Sequence, residues 1–198
     1  MRTFLSLLLI LTLPILAVPG PYDPAYIKRK WAIQDRVEKN DIPFLIALSC
    51  PHPSYYSKYS VENNPTGKHY ILFNNKDEQP FVRRFVSYMG TPSTLPDEKW
   101  PYYYDEWALL NIYDSEYSWI YDDPTDHFSI NRKTLKFTKE SGYTSTRPYR
   151  EWIVTSSEET ECKQVDIEEA INHIKTFKSK HKNFHEERSK KAQEGNQI

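Results

Sequence analysis

The sequence predicts a β-rich α+β fold: an antiparallel sandwich or barrel-like domain with a C-terminal helix and one disulfide. Three observations carry this. Tyr (15), Trp (5) and Pro (14) are abundant while Gly is scarce (5), a mixture that suits short strands joined by irregular loops. The stretch 127–138 alternates apolar and polar residues on either side of a short turn, the pattern of a half-buried hairpin. The only two cysteines, Cys50 and Cys162, stand near the two ends of the strand-forming region. In a secreted chain such an isolated pair forms one disulfide.

Secretion itself is read from the first residues. Met1-Arg2-Thr3 is a short, positively charged opening, Phe4–Leu16 is mostly apolar, and the small residues Ala17 and Gly20 follow. This is the layout of a signal peptide, with cleavage expected after Ala17. The apolar run is shorter than the about 20 residues a bilayer requires, and Pro14 near its end opposes a stable membrane helix. No later stretch reaches membrane-spanning length and no hydrophobic tail closes the chain, so the expectations are a secreted, extracellular protein, no membrane span and no lipid anchor. The sequon-like Asn64-Pro65-Thr66 is blocked by its proline.

Removal of residues 1–17 leaves 181 residues, the size of one domain, with 25 Lys and Arg against 27 Asp and Glu. A near-neutral balance argues against general nucleic-acid binding, which wants a basic surface. Four segments are expected: the signal peptide (1–17), an N-terminal helical or pro-segment (18–40), a single β-rich domain with its C-terminal helix (41–182), and a charged flexible tail (183–198).

Along the chain, Asp23-Pro24 reads as a helix N-cap followed by proline at the first helical position. A helix to about residue 38 follows, stopped by Asn40-Asp41-Ile42-Pro43. The dibasic pair Lys28-Arg29 leaves open a short pro-segment ending at Arg29. Residues 42–49 form a continuous apolar run leading into Cys50, as in a buried strand. Residues 51–67 are loop, 68–73 strand, 74–77 turn and 81–88 strand, the last with an interior Arg83-Arg84. Residues 90–101 read as loop, 106–113 and 117–121 as a strand pair, and 122–126 as a turn. Phe128 and Ile130, then Leu135 and Phe137, supply the apolar face of the hairpin, with the turn at 131–134. Residues 149–154 form a further strand. Asp166 and Glu169 have capping-box spacing, and Ile167, Ile171, Ile174 and Phe177 recur at helical spacing, so a helix is expected over roughly 167–182.

Chemistry concentrates between Trp100 and Asp126, where aromatic and acidic residues interleave. Aromatic faces stack on sugar rings and carboxylates accept from sugar hydroxyls, so Trp107, Trp119, Tyr103, Asp105 and Asp122 are the candidate ligand-binding residues. The competing reading puts alternate aromatics in the core and alternate acids in water. Asp122, Asp123 and Asp126 offer oxygen ligands without the spacing or the glycine of an EF-hand loop. His181 and His185 are i,i+4 on the terminal helix but lack the zinc-protease pattern, and a solvated helix face is the simpler reading. A secreted ribonuclease would need paired bases and a cationic clamp, parts for which His69, His127 and Arg83 or Arg84 could be cast. No nucleophile elbow, P-loop or dinucleotide fingerprint is present, and neither cofactor nor metal is expected.

The stretch Phe128-x-Ile130-Asn131-x-x-Thr134-Leu135-x-Phe137, followed by Trp152-x-Val154 and Cys162, resembles the hairpin, tryptophan and closing cysteine of small secreted fungal, effector-like proteins. The likeness covers about 35 residues. The chain departs from the Tyr-x-Cys opening of ribonuclease-like mildew effectors, with Leu48-Ser49-Cys50 in its place, and no catalytic residue carries over. Secretion together with the absence of a catalytic motif leads to the expectation of an extracellular binding or effector-type protein, monomeric, acting on a host or cell-surface protein or glycan. The alternatives are a secreted hydrolase of glycans or RNA, and a small-ligand carrier with a barrel cavity.

Overall fold

The computed structural model describes residues 23–51, 67–90, 100–120, 125–145 and 151–195. The signal segment, the possible loop ligands Asp122 and Asp123, and His52 lie outside the described residues.

Helix α1 spans Pro24–Glu38. The Asp23 carboxylate accepts from the Ala25 amide at 2.7 Å, and Pro24 at the first helical position has no N–H to satisfy. The helix ends in a Schellman motif. Asn40 takes a left-handed φ of 61°, its N–H bonds Val37 O, and the Asp41 N–H bonds Arg36 O at 2.8 Å. Lys28 and Arg29 sit inside this helix, and residues on both sides of them are anchored. Tyr26 donates its hydroxyl to Ile120 O and accepts from the Leu109 amide, while Ile33 is buried.

Among the described residues ten strands follow: β1 (Ile46–Cys50), β2 (Lys68–Asn74), β3 (Phe81–Gly90), β4 (Trp100–Leu109), β5 (Asn111–Ile112), β6 (Glu116–Ile120), β7 (Asp126–Asn131), β8 (Lys136–Ser145), β9 (Glu151–Glu161) and β10 (Lys163–Val165). All pairings are antiparallel. One sheet has the order β10-β1-β2-β3-β4 and the other β5-β6-β7-β8-β9. The strand after residue 100 begins earlier than its sequence suggests. Pro101 falls on the edge strand, where a missing N–H costs no ladder bond.

The two sheets pack face to face, and the chain passes between them at two single-residue corners. Leu110 separates β4 from β5, and Cys162 separates β9 from β10. Both are buried in the inter-sheet core with Leu48, Ile71, Phe73, Val82, Tyr117, Trp119, Phe128, Ile130 and Phe137. The Cys50–Cys162 disulfide lies in the same core and joins the end of β1 to the second corner.

Helix α2 (Ile167–Gly195) and α1 cover the outer face of the first sheet. Ala170, Ile174 and Phe177 of α2, Ile33 of α1, and Ile42 and Phe44 ahead of β1 pack there on Ala47, Tyr70, Leu72, Phe81 and Phe85. The first sheet is thus a middle layer buried on both faces, which is why β2 reads as an almost unbroken apolar run. The second sheet has one open face, so Phe128, Ile130 and Phe137 alternate with polar residues.

Asp166 caps α2 by accepting from the Glu169 amide at 2.9 Å. The helix runs past residue 182 to Gly195. Its buried stripe, Ala170, Ile174 and Phe177, continues at the same spacing as His181, Phe184 and Arg188. That second half lies on Tyr103 and Trp100 of β4.

Candidate functional site

The residues nominated from the sequence fall in three different environments. Trp107 is 7% exposed and faces the helices, packed on Phe44 and Phe81 under the Arg83 guanidinium. Trp119 is 1% exposed and fills the inter-sheet core beside Phe128 and Phe137. Both rings are therefore core residues, as β-strand alternation allows, and they do not share a face. Asp105 is a partly buried ion-pair centre. Arg83 grips it through two 2.8 Å bonds and Lys178 reaches it at 2.8 Å. Burial alone would raise its pKa, but the two cations outweigh burial and hold it below the ordinary aspartate value. Tyr103 alone lines an open groove, and Asp122 lies outside the described residues.

The side chains cast for a ribonuclease are partly brought together. Consecutive Arg83 and Arg84 point to opposite faces of β3. Arg84 donates to His69 Nε2 at 3.1 Å and to Glu106 at 2.8 Å, so a His–Arg–Glu cluster spans β2, β3 and β4. His69 and Arg84 are each 1% exposed, and the guanidinium also stacks over Phe128. His127 lies on the other sheet, stacked on Trp152 with ring centroids 3.7 Å apart. The two histidines therefore do not form an acid–base pair, and the buried cluster has the geometry of a satisfied core network.

The accessible chemistry lies where α2 crosses β4. Tyr103, Lys178, His181, Lys182 and His185 line an open groove there. His181 packs edge-on against Tyr103, with centroids 4.9 Å apart, and the two imidazoles are 4.4 Å from each other. Burial first, and then neighbouring His185, lower the His181 pKa. Arg188 stacks over Trp100 at 4.4 Å, and Phe184 and His185 pack around the same indole.

On the other side of β4, Trp100 begins a row of near-parallel rings. Tyr102 lies 6.4 Å from it, Tyr88 lies 5.4 Å beyond, and Tyr104 another 6.2 Å, with interplanar angles of 17–20°. Gly90 keeps this row open, since a Cβ there would stand 2.8 Å from the Tyr102 ring. Tyr104 is 42% exposed. The sequence concentrates aromatic residues in this stretch without saying which of its faces water reaches. The edge position of β4 and the reach of α2 decide it. The signal for the α2 side was the His181–His185 spacing together with the continuing helical stripe.

No known protein family, curated protein or solved structure matches the chain. Among the described residues no group of three or more His, Cys, Asp or Glu is placed to hold a metal ion, and no helix is long and apolar enough to cross a membrane.

Proposed function

We propose that the chain is a secreted binding protein that engages a glycan on a partner outside the cell, through the aromatic row of β3 and β4 and the adjoining α2–β4 groove. The observation that carries this reading is the position of Trp100. Its indole ends the row of tyrosines on one side of β4 and meets His185 and Arg188 of α2 on the other. Aromatic rings beside cations and imidazoles provide stacking surfaces and hydrogen-bond donors together, the mixture that sugar recognition uses. Secretion is supported by the signal-peptide pattern of residues 1–17 and by the disulfide between Cys50 and Cys162.

The other two readings find less support. A carrier needs an internal cavity, whereas Trp119, Phe128, Phe137 and Arg84 fill the space between the sheets. A hydrolase needs solvent at its acid and base, whereas His69 and Arg84 are sealed.

The test is a glycan array probed with residues 18–198, disulfide intact, beside an RNA-degradation assay. Selective binding that falls at least tenfold in Tyr104→Ala, and stays unchanged in the control Tyr143→Ala on β8, is the expected result. A silent array, or equal binding by Tyr104→Ala, overturns the reading. RNA cleavage by the unmodified protein replaces it with the hydrolase.

A further inference from the structure

We infer that residues 181–195 of α2 form an acid-released strap over β4: uncharged His181 and His185 seat it on Tyr103 and Trp100, and it lifts when the two imidazoles take up protons.

The two halves of α2 are held differently. Ala170, Ile174 and Phe177 are buried against the first sheet, and Lys178 is tied to Asp105 at 2.8 Å. Of the described side chains beyond Lys178, none is fully buried. Contact with β4 is made there by His181 on Tyr103, 4.9 Å between ring centroids, and by Phe184 and His185 on Trp100, at 5.4 and 5.8 Å. Arg188 lies over the same indole. Isolated helices shorter than about 12–15 residues are marginal in water, so a stretch of this length depends on its docking contacts. Two of those contacts are imidazoles, the side chain whose charge changes near neutral pH.

Charging them works against docking. Each ring beneath the strap already carries a cation: the Lys178 ammonium is 5.7 Å from the centre of Tyr103, and the Arg188 guanidinium is 4.4 Å from that of Trp100. An imidazolium at His181 or His185 adds a second one, and the two imidazoles are only 4.4 Å from each other. The groups facing them are Lys178, Lys182, Glu186 and Arg188 on α2, Tyr103, Trp100 and Asp105 on β4, and Arg83 of β3 through Asp105. Asp105 is shared by Arg83 and Lys178, and Glu186 lies 3.7 Å from Lys182. Even without Arg188, which has a further partner, three cations meet two carboxylates before either imidazole is charged. Each added proton enlarges that excess. Burial first and then His185 lower the His181 pKa in the docked state, so the lifted helix binds its proton more tightly. Docking is therefore at full strength above about pH 6.5 and weakens as pH falls towards the docked value. His173 stands apart from this device. It lies in the anchored half, facing Tyr70 and Lys68 of β2, Ser87 of β3 and Glu169 of its own helix. Lifting the strap bares the faces of Tyr103 and Trp100 and takes the α2–β4 groove apart.

The experiment is amide hydrogen exchange on residues 18–198, disulfide intact, at about pH 7.5 and about pH 5.5, on either side of the ordinary histidine pKa of about 6.5. Rates are converted to protection factors, which removes the pH dependence of the chemical exchange step. Protection of residues 181–191 should fall about tenfold at the lower pH, corresponding to one unit of pKa change, and fall more than that of residues 167–177. His181→Phe with His185→Phe keeps a ring at both positions without the charge, and should hold the strap equally at both pH values. A second check needs no variant. The ring-proton resonance of His181 should titrate below about pH 6.5, with the same midpoint as the loss of protection. Equal protection of 181–191 at both pH values overturns the inference, as does a loss no larger than that of 167–177, which reports unfolding of the whole domain. So does a His181 midpoint at or above the ordinary value, or a pH dependence that survives in the double Phe variant. None of these readouts involves a glycan, so their outcome is independent of the array.

Discussion

Arg84 donates its Nε–H to Nε2 of His69 across 3.1 Å in the space between the two sheets. To accept, Nε2 must carry no proton, so the imidazole proton sits on Nδ1, which faces Pro51 O at 3.3 Å. Pro51 follows Cys50, so this chain of contacts ties the disulfide end of β1 to the middle of β3. Arg84 is held on its other side by Glu106, so no uncompensated charge is buried.

Breaking this cluster is expected to destabilise the fold without touching the proposed site. Arg84→Ala removes the buried cation and leaves a cavity beside Phe128, at a cost of about 3 kcal/mol. Arg84→Met, which keeps most of the volume, should cost less than half of that. Urea melts of both variants check the ordering, and equal losses would point to charge rather than packing as the dominant contribution.

Acid should weaken the fold in two steps of the same sign. His173, packed on Tyr70 and Phe177 and contacting Ser87, has a lowered pKa, first from burial and then from Lys68. The unfolded chain therefore binds more protons there, so stability is fully present above about pH 6.5 and falls as pH drops towards the folded value. Asp105, also lowered, contributes stability above its unfolded pKa of about 3.9 and loses it as pH falls further through the folded value. In thermal melts across pH, His173→Asn should flatten the first step and Asp105→Asn the second.

The disulfide closes 112 residues of sequence separation. The chain-entropy argument assigns a loop of that length about 4–5 kcal/mol. The double substitution Cys50→Ala with Cys162→Ala should lower unfolding stability by about that amount, because the pairing of β1 with β10 is only three residues long. A loss below about 1 kcal/mol would show that the two corners hold without the covalent link.

Gly142 lies at the irregularity between β8 and β9, where a Cβ would collide with Ile153 O. That neighbour is backbone and cannot swing aside. Gly142→Ala should therefore shift the outer half of the hairpin and cost about 2 kcal/mol. Amide exchange should localise the damage to residues 141–145 and 151–156, and leave β6 and β7 protected.

By itself, the sequence determined what depends on local spacing and pairing. The caps at Asp23 and Asp166 were legible because a side-chain oxygen meets amides two or three residues on. The hairpin faces were legible because Phe128, Ile130 and Phe137 follow the pleat, and the disulfide because only one pairing exists. What only the tertiary structure decided is which aromatic faces outward. Tyr104 and Trp107 belong to the same strand and the same composition, yet α1 and α2 cover one face of that strand while the other side keeps Tyr104 in water. Layer order settled this, and it also turned Arg83 and Arg84, neighbours in the chain, into ion pairs on opposite sides of a sheet. Such outcomes depend on contacts between residues far apart in sequence, whereas local periodicity reports only which residues share a face.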